Sequence, residues 1–241
     1  MPFTFSHPAI VLPFNYLSKK WISLTALVIG SMVPDFEYFL RLKVASYYSH
    51  TWTGLFWFDL PLALFLLVIY NNIVKNKLID HLPAFLNSRL SKFKISSSFS
   101  LKNAVIVVVC ILIGAASHIF WDSFTHSGGY FVTHILFLTQ QINISHYHIQ
   151  TYKILQHLST LAGAAIILFA IVQLPVAQLT KENDITYYWI KVLGVTFVVL
   201  SIRLLTGLQI QEYGDMLVTG ISGIFIGLIL ISAITSPKQV A

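Results

Sequence analysis

The chain has 241 residues, 56% hydrophobic and only 10% charged, where a soluble domain has about a quarter of its residues charged. This composition excludes an ordinary soluble enzyme and indicates a polytopic membrane protein, too short to carry a sizeable soluble domain as well. The formal net charge of +6 is concentrated in one loop, and the aromatic residues lie in or beside apolar segments, which excludes a nucleic-acid-binding surface.

The opening, Met-Pro-Phe-Thr-Phe-Ser-His-Pro, lacks the basic start of a cleavable signal peptide, so the first long hydrophobic segment is expected to remain as an anchor. Residues 3–18 predict a short amphipathic helix, with Ser6 as N-cap and Pro8 in the first turn. At about 12 residues it is too short to span, and it either lies on the membrane or dips into it. Lys19, Lys20 and Trp21 mark an interface before a first predicted span at 22–40, whose far end reads Val33-Pro34-Asp35-Phe36-Glu37-Tyr38. A second span is predicted at 54–74, with Asp59 inside it and Pro61 bending it. Residues 75–103 form a basic loop with Lys75, Lys77, Arg89, Lys92, Lys94 and Lys102 against the single acid Asp80. Further spans are predicted at 104–121, 158–179, 188–206 and 216–235. The fold class is therefore all-α, a membrane helical bundle of about six spans behind a short N-terminal helix. Residues 1–180 form the membrane-embedded domain with the polar cluster, and residues 181–241 a C-terminal hairpin of two spans. Gly223 and Gly227 give a GxxxG spacing, read as close helix packing within the chain.

The positive-inside rule orients the bundle. The 75–103 loop is cytoplasmic, and Lys19, Lys20, Lys181 and Lys238 fall on the same side. The 41–53, 122–157 and 207–215 loops then face outward, in a cytoplasmic (inner) membrane. On this topology Asp35, His50, His118, Asp122 and His157 all reach the outer face.

His118 and Asp122 stand four residues apart at the end of a lipid-buried helix, so both project from one face about 6 Å apart along the axis. Buried in this way, an imidazole and a carboxylate are costly unless a partner engages them, and a divalent metal is the simplest partner. The alternative is a plain His–Asp hydrogen bond. His126 continues the spacing and is followed by Gly128 and Gly129, which let the chain turn. The single cysteine, Cys110, excludes an intramolecular disulfide and a thiolate cage, so any metal is held by His and carboxylate. The candidate ligands are His7, Asp35, His50, His118, Asp122, His126 and His157. Asp35 and Asp122 are also candidate bases, and Glu37 is a candidate general base or supporting residue. His134, His146 and His148 read as solvated, and His81 as remote from the cluster.

Neutral His with ionised Asp suits zinc, with manganese or iron as further options. Seven candidates exceed one tetrahedral shell, so two or three ions bridged by Asp122 or Asp35 are expected. Such a centre activates water and polarises an ester or phosphoryl oxygen. At the lipid–water boundary the expected substrate is a phospholipid or lipid-linked (phospho)ester. The alternatives are a non-enzymatic scaffold with a structural metal or His–Asp network, and a transporter, which the nearly uncharged inner halves of the spans disfavour. The sequence leaves the oligomeric state open.

Three stretches carry a resemblance: Met-Pro-Phe-Thr-Phe-Ser-His-Pro-Ala, Gly-Ser-Met-Val-Pro-Asp-Phe-Glu-Tyr and Ser-His-Ile-Phe-Trp-Asp-Ser-Phe-Thr-His. Over residues 1–180 the chain resembles a bacterial multi-pass membrane family of unknown function. More distantly, the order His, Pro-Asp, Ser-His-Thr, Ser-His-x-x-x-Asp is similar to that of the LexA-regulated membrane-bound metal-dependent hydrolases, a group itself similar to the all-helical, three-zinc phospholipase C fold. The resemblance implies His7, Asp35, His50, His118 and Asp122 as ligands. The hydrolase group has Leu-Pro-Asp-Ile-Asp where this chain has Val-Pro-Asp-Phe-Glu, and Pro in place of His126, which therefore gains no support from it.

Overall fold

The computed structural model describes residues 3–18, 20–94, 101–144, 147–177 and 184–235. The predicted interface lysines Lys19, Lys181 and Lys238, and His146, lie outside the described residues. The fold is all-α, a polytopic helical bundle with one small β-hairpin. Among the described residues, five helices are long and apolar enough to cross a membrane: Leu55–Asp80, Asn103–Asp122, Thr151–Val172, Ile185–Leu205 and Tyr213–Ile234.

In chain order the elements are α1 (Pro8–Val11), α2 (Leu24–Met32), α3 (Phe36–Arg41), α4 (Leu55–Asp80), α5 (Ala84–Leu90), α6 (Leu101–Asp122), α7 (Tyr130–His134), α8 (Leu136–Thr139), β1 (Gln141–Ile144), β2 (Tyr147–Gln150), α9 (Thr151–Val172), α10 (Ile185–Leu205) and α11 (Tyr213–Ile234). The segment at 22–40 is helical but interrupted. Ser23 caps α2 by accepting from the Ala26 amide, and the helix tightens into a 3-10 turn at Val33–Asp35 before α3 begins. Pro34 explains the break, since it has no N–H to donate and crowds the carbonyl four residues before it. In α4 the bend expected near Pro61 takes the form of a π-turn at Leu55–Asp59, with a second at Tyr70–Val74. The 122–157 region is not a bare polar loop. It contains α7, α8 and the hairpin, with Gln141 opposite Gln150, over a small core of Val132, Leu138 and Tyr152. Helix α9 begins at Thr151, earlier than predicted, and so includes His157.

The chain divides into two compact units, the first comprising Met1–Asp35, Tyr48–Leu64 and Phe99–Ala170. Its centre is the pair α2 and α6, brought into backbone contact by glycines. A Cβ on Gly30 would lie 2.4 Å from the Ile111 carbonyl oxygen, and one on Gly114 2.4 Å from that of Leu27. The N-terminal segment is a 3-10 turn (Thr4–Ser6), α1 and a second 3-10 stretch (Leu12–Tyr16), and Thr4, Ser6, His7, Ala9 and Val11 are buried. Ser6 is not an N-cap. His7 occupies that position without a side-chain cap, and the Ser6 hydroxyl donates instead to the Thr160 carbonyl of α9 (3.0 Å), while the Phe3 amide donates to Thr160 Oγ1 (3.0 Å).

The second unit comprises Phe36–Tyr47, Phe65–Ser98 and Ile171–Ala241. Helices α10 and α11 pair through the GxxxG glycines, Gly223 against Thr196 and Gly227 against Val192, so this motif packs helices within the chain. Asp184 caps α10 by accepting from the Tyr187 amide (2.9 Å). Helix α11 also holds the end of α3 and the turn after it. Ser222 donates to the Phe39 carbonyl, Thr219 to that of Leu42, and Asp215 accepts from the Val44 amide. Arg203 of α10 donates to the same Leu42 carbonyl (3.4 Å). His81 stacks on Tyr188 in this unit, and Lys94 pairs with Asp80.

Candidate metal centre

The first unit gathers most of the sequence-predicted donors at one place. Asp35 comes from the 3-10 turn that ends α2, His50 from the loop before α4, and His118 and Asp122 from the last turns of α6. The i,i+4 spacing on α6 sets the last two side by side. The α2–α6 glycine contact brings the Asp35 turn to the same end of α6, and His118 ties to it through its Nδ1, which donates to the Ser31 carbonyl (2.7 Å). That bond places the ring hydrogen on Nδ1 and leaves the Nε2 lone pair facing the cluster.

Four atoms then converge. His50 Nε2 lies 3.3 Å from Asp35 Oδ1 and 3.6 Å from Asp122 Oδ2, and His118 Nε2 lies 3.5 Å and 3.3 Å from the same two oxygens. All four atoms lie within 4.8 Å of one another. These separations are longer than the most common N–H···O hydrogen-bond length, about 2.9–3.0 Å. They match the donor–donor edges of a tetrahedral shell, about 3.3–3.4 Å for metal–ligand bonds near 2.0–2.1 Å. Among the described residues, His118 Nε2, Asp35 Oδ1 and both Asp122 oxygens are buried without a hydrogen-bond partner. Leaving such groups unsatisfied costs about 1–3 kcal/mol each, more when charged. A cation at the common point would satisfy His118 Nε2, Asp35 Oδ1 and Asp122 Oδ2, so Asp35, His50, His118 and Asp122 form a group that can hold a metal ion.

His7 and His126 extend the cluster. The His7 ring is fully buried, stacks on His118 with centroids 3.7 Å apart, meets Trp121 edge-on, and sets Nε2 3.5 Å from Asp122 Oδ1, the oxygen turned away from the four-atom group. Neither nitrogen of His7 has a hydrogen-bond partner among the described residues, and burial lowers its pKa to about 3, so the ring is neutral. His126 Nδ1 lies 3.2 Å from the Asp122 carbonyl, to which it donates, and 3.5 Å from Asp122 Oδ2. Burial lowers the pKa of His126 as well.

Surrounding groups fix the donors. Thr4 Oγ1 donates to Asp35 Oδ2 (2.6 Å), leaving Oδ1 for the cluster, and Ser49 Oγ pairs with His50 Nδ1 (3.0 Å). His50 has a left-handed backbone (φ 59°), an uncommon conformation that aims its ring inward from the loop. Thr4, Ser31 and Ser49 are not marked in the sequence as residues of the site. Ser31 sits one helical turn before Asp35, and Ser49 is the neighbour of His50. Thr4 carried no signal, because its contact with Asp35 spans 31 residues.

Two candidates lie elsewhere. His157 is exposed on α9 and is not among the converging residues. Glu37 is buried in the second unit, where its carboxylate accepts from Arg41 Nε (2.8 Å), the Tyr47 amide (3.0 Å) and Ser46 Oγ (3.2 Å). Its oxygens are thus committed to closing the 36–47 segment.

Comparison with curated proteins and with solved structures finds no match. A family model described as "Domain of unknown function (DUF4184)" matches residues 1–233, nearly the whole chain, and includes every residue of the cluster. The chain therefore belongs to the DUF4184 family.

Proposed function

We propose that the protein is a metal-dependent hydrolase of the membrane–water interface, with zinc as the first-choice ion and a phospholipid or lipid-linked (phospho)ester as substrate. One observation carries the proposal. His and Asp donor atoms stand 3.3–3.6 Å apart around a common point, close to the spacing of ligands around one ion, and His118 Nε2, Asp35 Oδ1 and Asp122 Oδ2 are buried with no hydrogen-bond partner among the described residues. When bound, the metal polarises an ester or phosphoryl oxygen and makes water nucleophilic near neutral pH.

The chain's own residues set the rest. Asp35 and Asp122 together offset the charge of one divalent ion. Asp122 has one oxygen toward His50 and His118 and the other toward His7, so with His7 it would also help to hold a second ion if one were bound. A second ion leaves the centre net positive, which suits an anionic phosphoester. Thr4 and Ser31 keep Asp35 and His118 oriented. The side chains of His50 and His126 are 19% and 33% exposed, so the cluster opens to its surroundings on their side, while Asp35, His7 and His118 close the other. On the positive-inside reading this opening is at the outer face.

The complete burial of three donors also suits a second reading, a structural metal in a scaffold. Turnover separates the two. Purified protein in phospholipid vesicles should release headgroup or acyl product when loaded with zinc, stop when stripped by chelator, and be inactive as Asp122→Asn. A protein that retains its metal and cleaves no phospholipid or lipid-linked ester supports the structural reading.

A further inference from the structure

The loop that carries His50 has a second property. Residues 48–58 contain no Lys, Arg, Asp or Glu, and Trp52, Phe56 and Trp57 are 65%, 61% and 56% exposed, with Tyr48 beside them. This is a built surface. Thr51 Oγ1 donates to the Tyr48 carbonyl (3.1 Å) and accepts from the Gly54 amide (2.9 Å), and a Cβ on Gly54 would lie 1.9 Å from the Tyr48 oxygen. Ser49 and Leu55 anchor the loop from below, and the Tyr48 and Trp57 rings meet edge-on with centroids 5.2 Å apart. Aromatic side chains carry about 150–250 Å² each, so at these exposures the four together present about 350–570 Å², the size of the largest apolar patch on a typical protein surface, which is often functional.

The occupant follows from continuity. Phe56 and Trp57 lie in the first turn of α4, a helix of membrane-spanning length and composition, so the aromatic surface runs directly into a lipid-facing one. Trp and Tyr at the end of a spanning helix settle at headgroup depth, where the ring is in apolar surroundings and its polar edge is wet. We infer that the Tyr48–Trp57 loop is a rim seated at the headgroup level of the bilayer, and that the metal centre takes its substrate from the leaflet on the His50 side. The second half rests on the hydrolase proposal and the first does not.

The test uses Cys110→Ser, which removes the chain's only cysteine, carrying Trp52→Cys or Phe56→Cys labelled with an environment-sensitive fluorophore. In phosphatidylcholine vesicles both labels should shift to the blue, lose most of their emission to lipids with a nitroxide near the headgroup, and lose little to aqueous iodide. Two positions guard against one label disturbing the loop. Dominant quenching by iodide overturns the inference, and so does protection of both labels from both quenchers. The readout needs no metal and no turnover, so lipid quenching in a protein without metal supports the rim while removing the hydrolase proposal. For the second half, Trp52→Ala with Trp57→Ala should lower cleavage of vesicle lipid several-fold at unchanged metal content. Unchanged cleavage overturns it.

Discussion

Asp122 is the residue on which the site turns, because its two oxygens face different imidazoles, Oδ2 toward His50, His118 and His126 and Oδ1 toward His7. Residues outside the donor set matter almost as much. Thr4→Val removes the bond that fixes Asp35 while keeping the volume, and should weaken metal binding about 10- to 100-fold, measured by competition with a chromogenic chelator. An unchanged affinity would show that Asp35 needs no support from Thr4. His7 supplies a pH prediction for metal-free protein. Burial holds its folded-state pKa near 3, below the unfolded value of about 6.5. Below 6.5 the unfolded chain takes up a proton at His7 that the folded chain refuses until about pH 3, so stability declines as pH falls through this window. Thermal melts between pH 7 and 5 should show a shallower decline in His7→Gln than in the parent. Equal slopes would mean that His7 is not held neutral by the fold.

Helices and loops position these residues through close backbone approaches. Gly114→Val would force α6 off α2 at the Leu27 carbonyl, an overpacking cost of about 1–3 kcal/mol. It should lower the melting temperature and the metal content together. Gly54→Ala is more local. Its Cβ has no room against the Tyr48 carbonyl, so the His50 loop must shift, and metal should be lost with helical content by circular dichroism retained. At this scale the sequence was informative where one signal dominated. Long apolar runs located α6, α10 and α11 to within a few residues and the start of α4, whereas α4 ends later than expected, α9 starts and ends about seven residues earlier, and the run at 22–40 is not one of the membrane-length helices. It was less informative where tertiary contacts decide. The burial of His7 and its neighbours depends on packing partners far along the chain, such as Thr160 for Ser6 and His118 for His7.

For the whole molecule, the all-α polytopic architecture follows from composition, and the charge bias predicts an orientation with the 75–103 loop inside. Cysteine labelling on the Cys110→Ser background tests that orientation. In sealed right-side-out vesicles an impermeant thiol reagent should modify His134→Cys and spare Lys92→Cys, both at exposed positions, and the reverse pattern would invert the topology. The i,i+4 pair His118 and Asp122 was legible from spacing alone, whereas the contribution of His50 depends on a left-handed backbone that no periodicity announces. The assignment of a metal centre is tested most directly by elemental analysis of protein purified without chelator, beside His118→Ala and Asp122→Ala prepared in the same way. At least one equivalent of zinc, manganese or iron should accompany the parent protein and be lost from both variants with helical content unchanged, and two or three equivalents would establish a multinuclear centre. A metal-free parent, or variants that keep the parent's metal, would contradict the account and reduce the cluster to a buried His–Asp network.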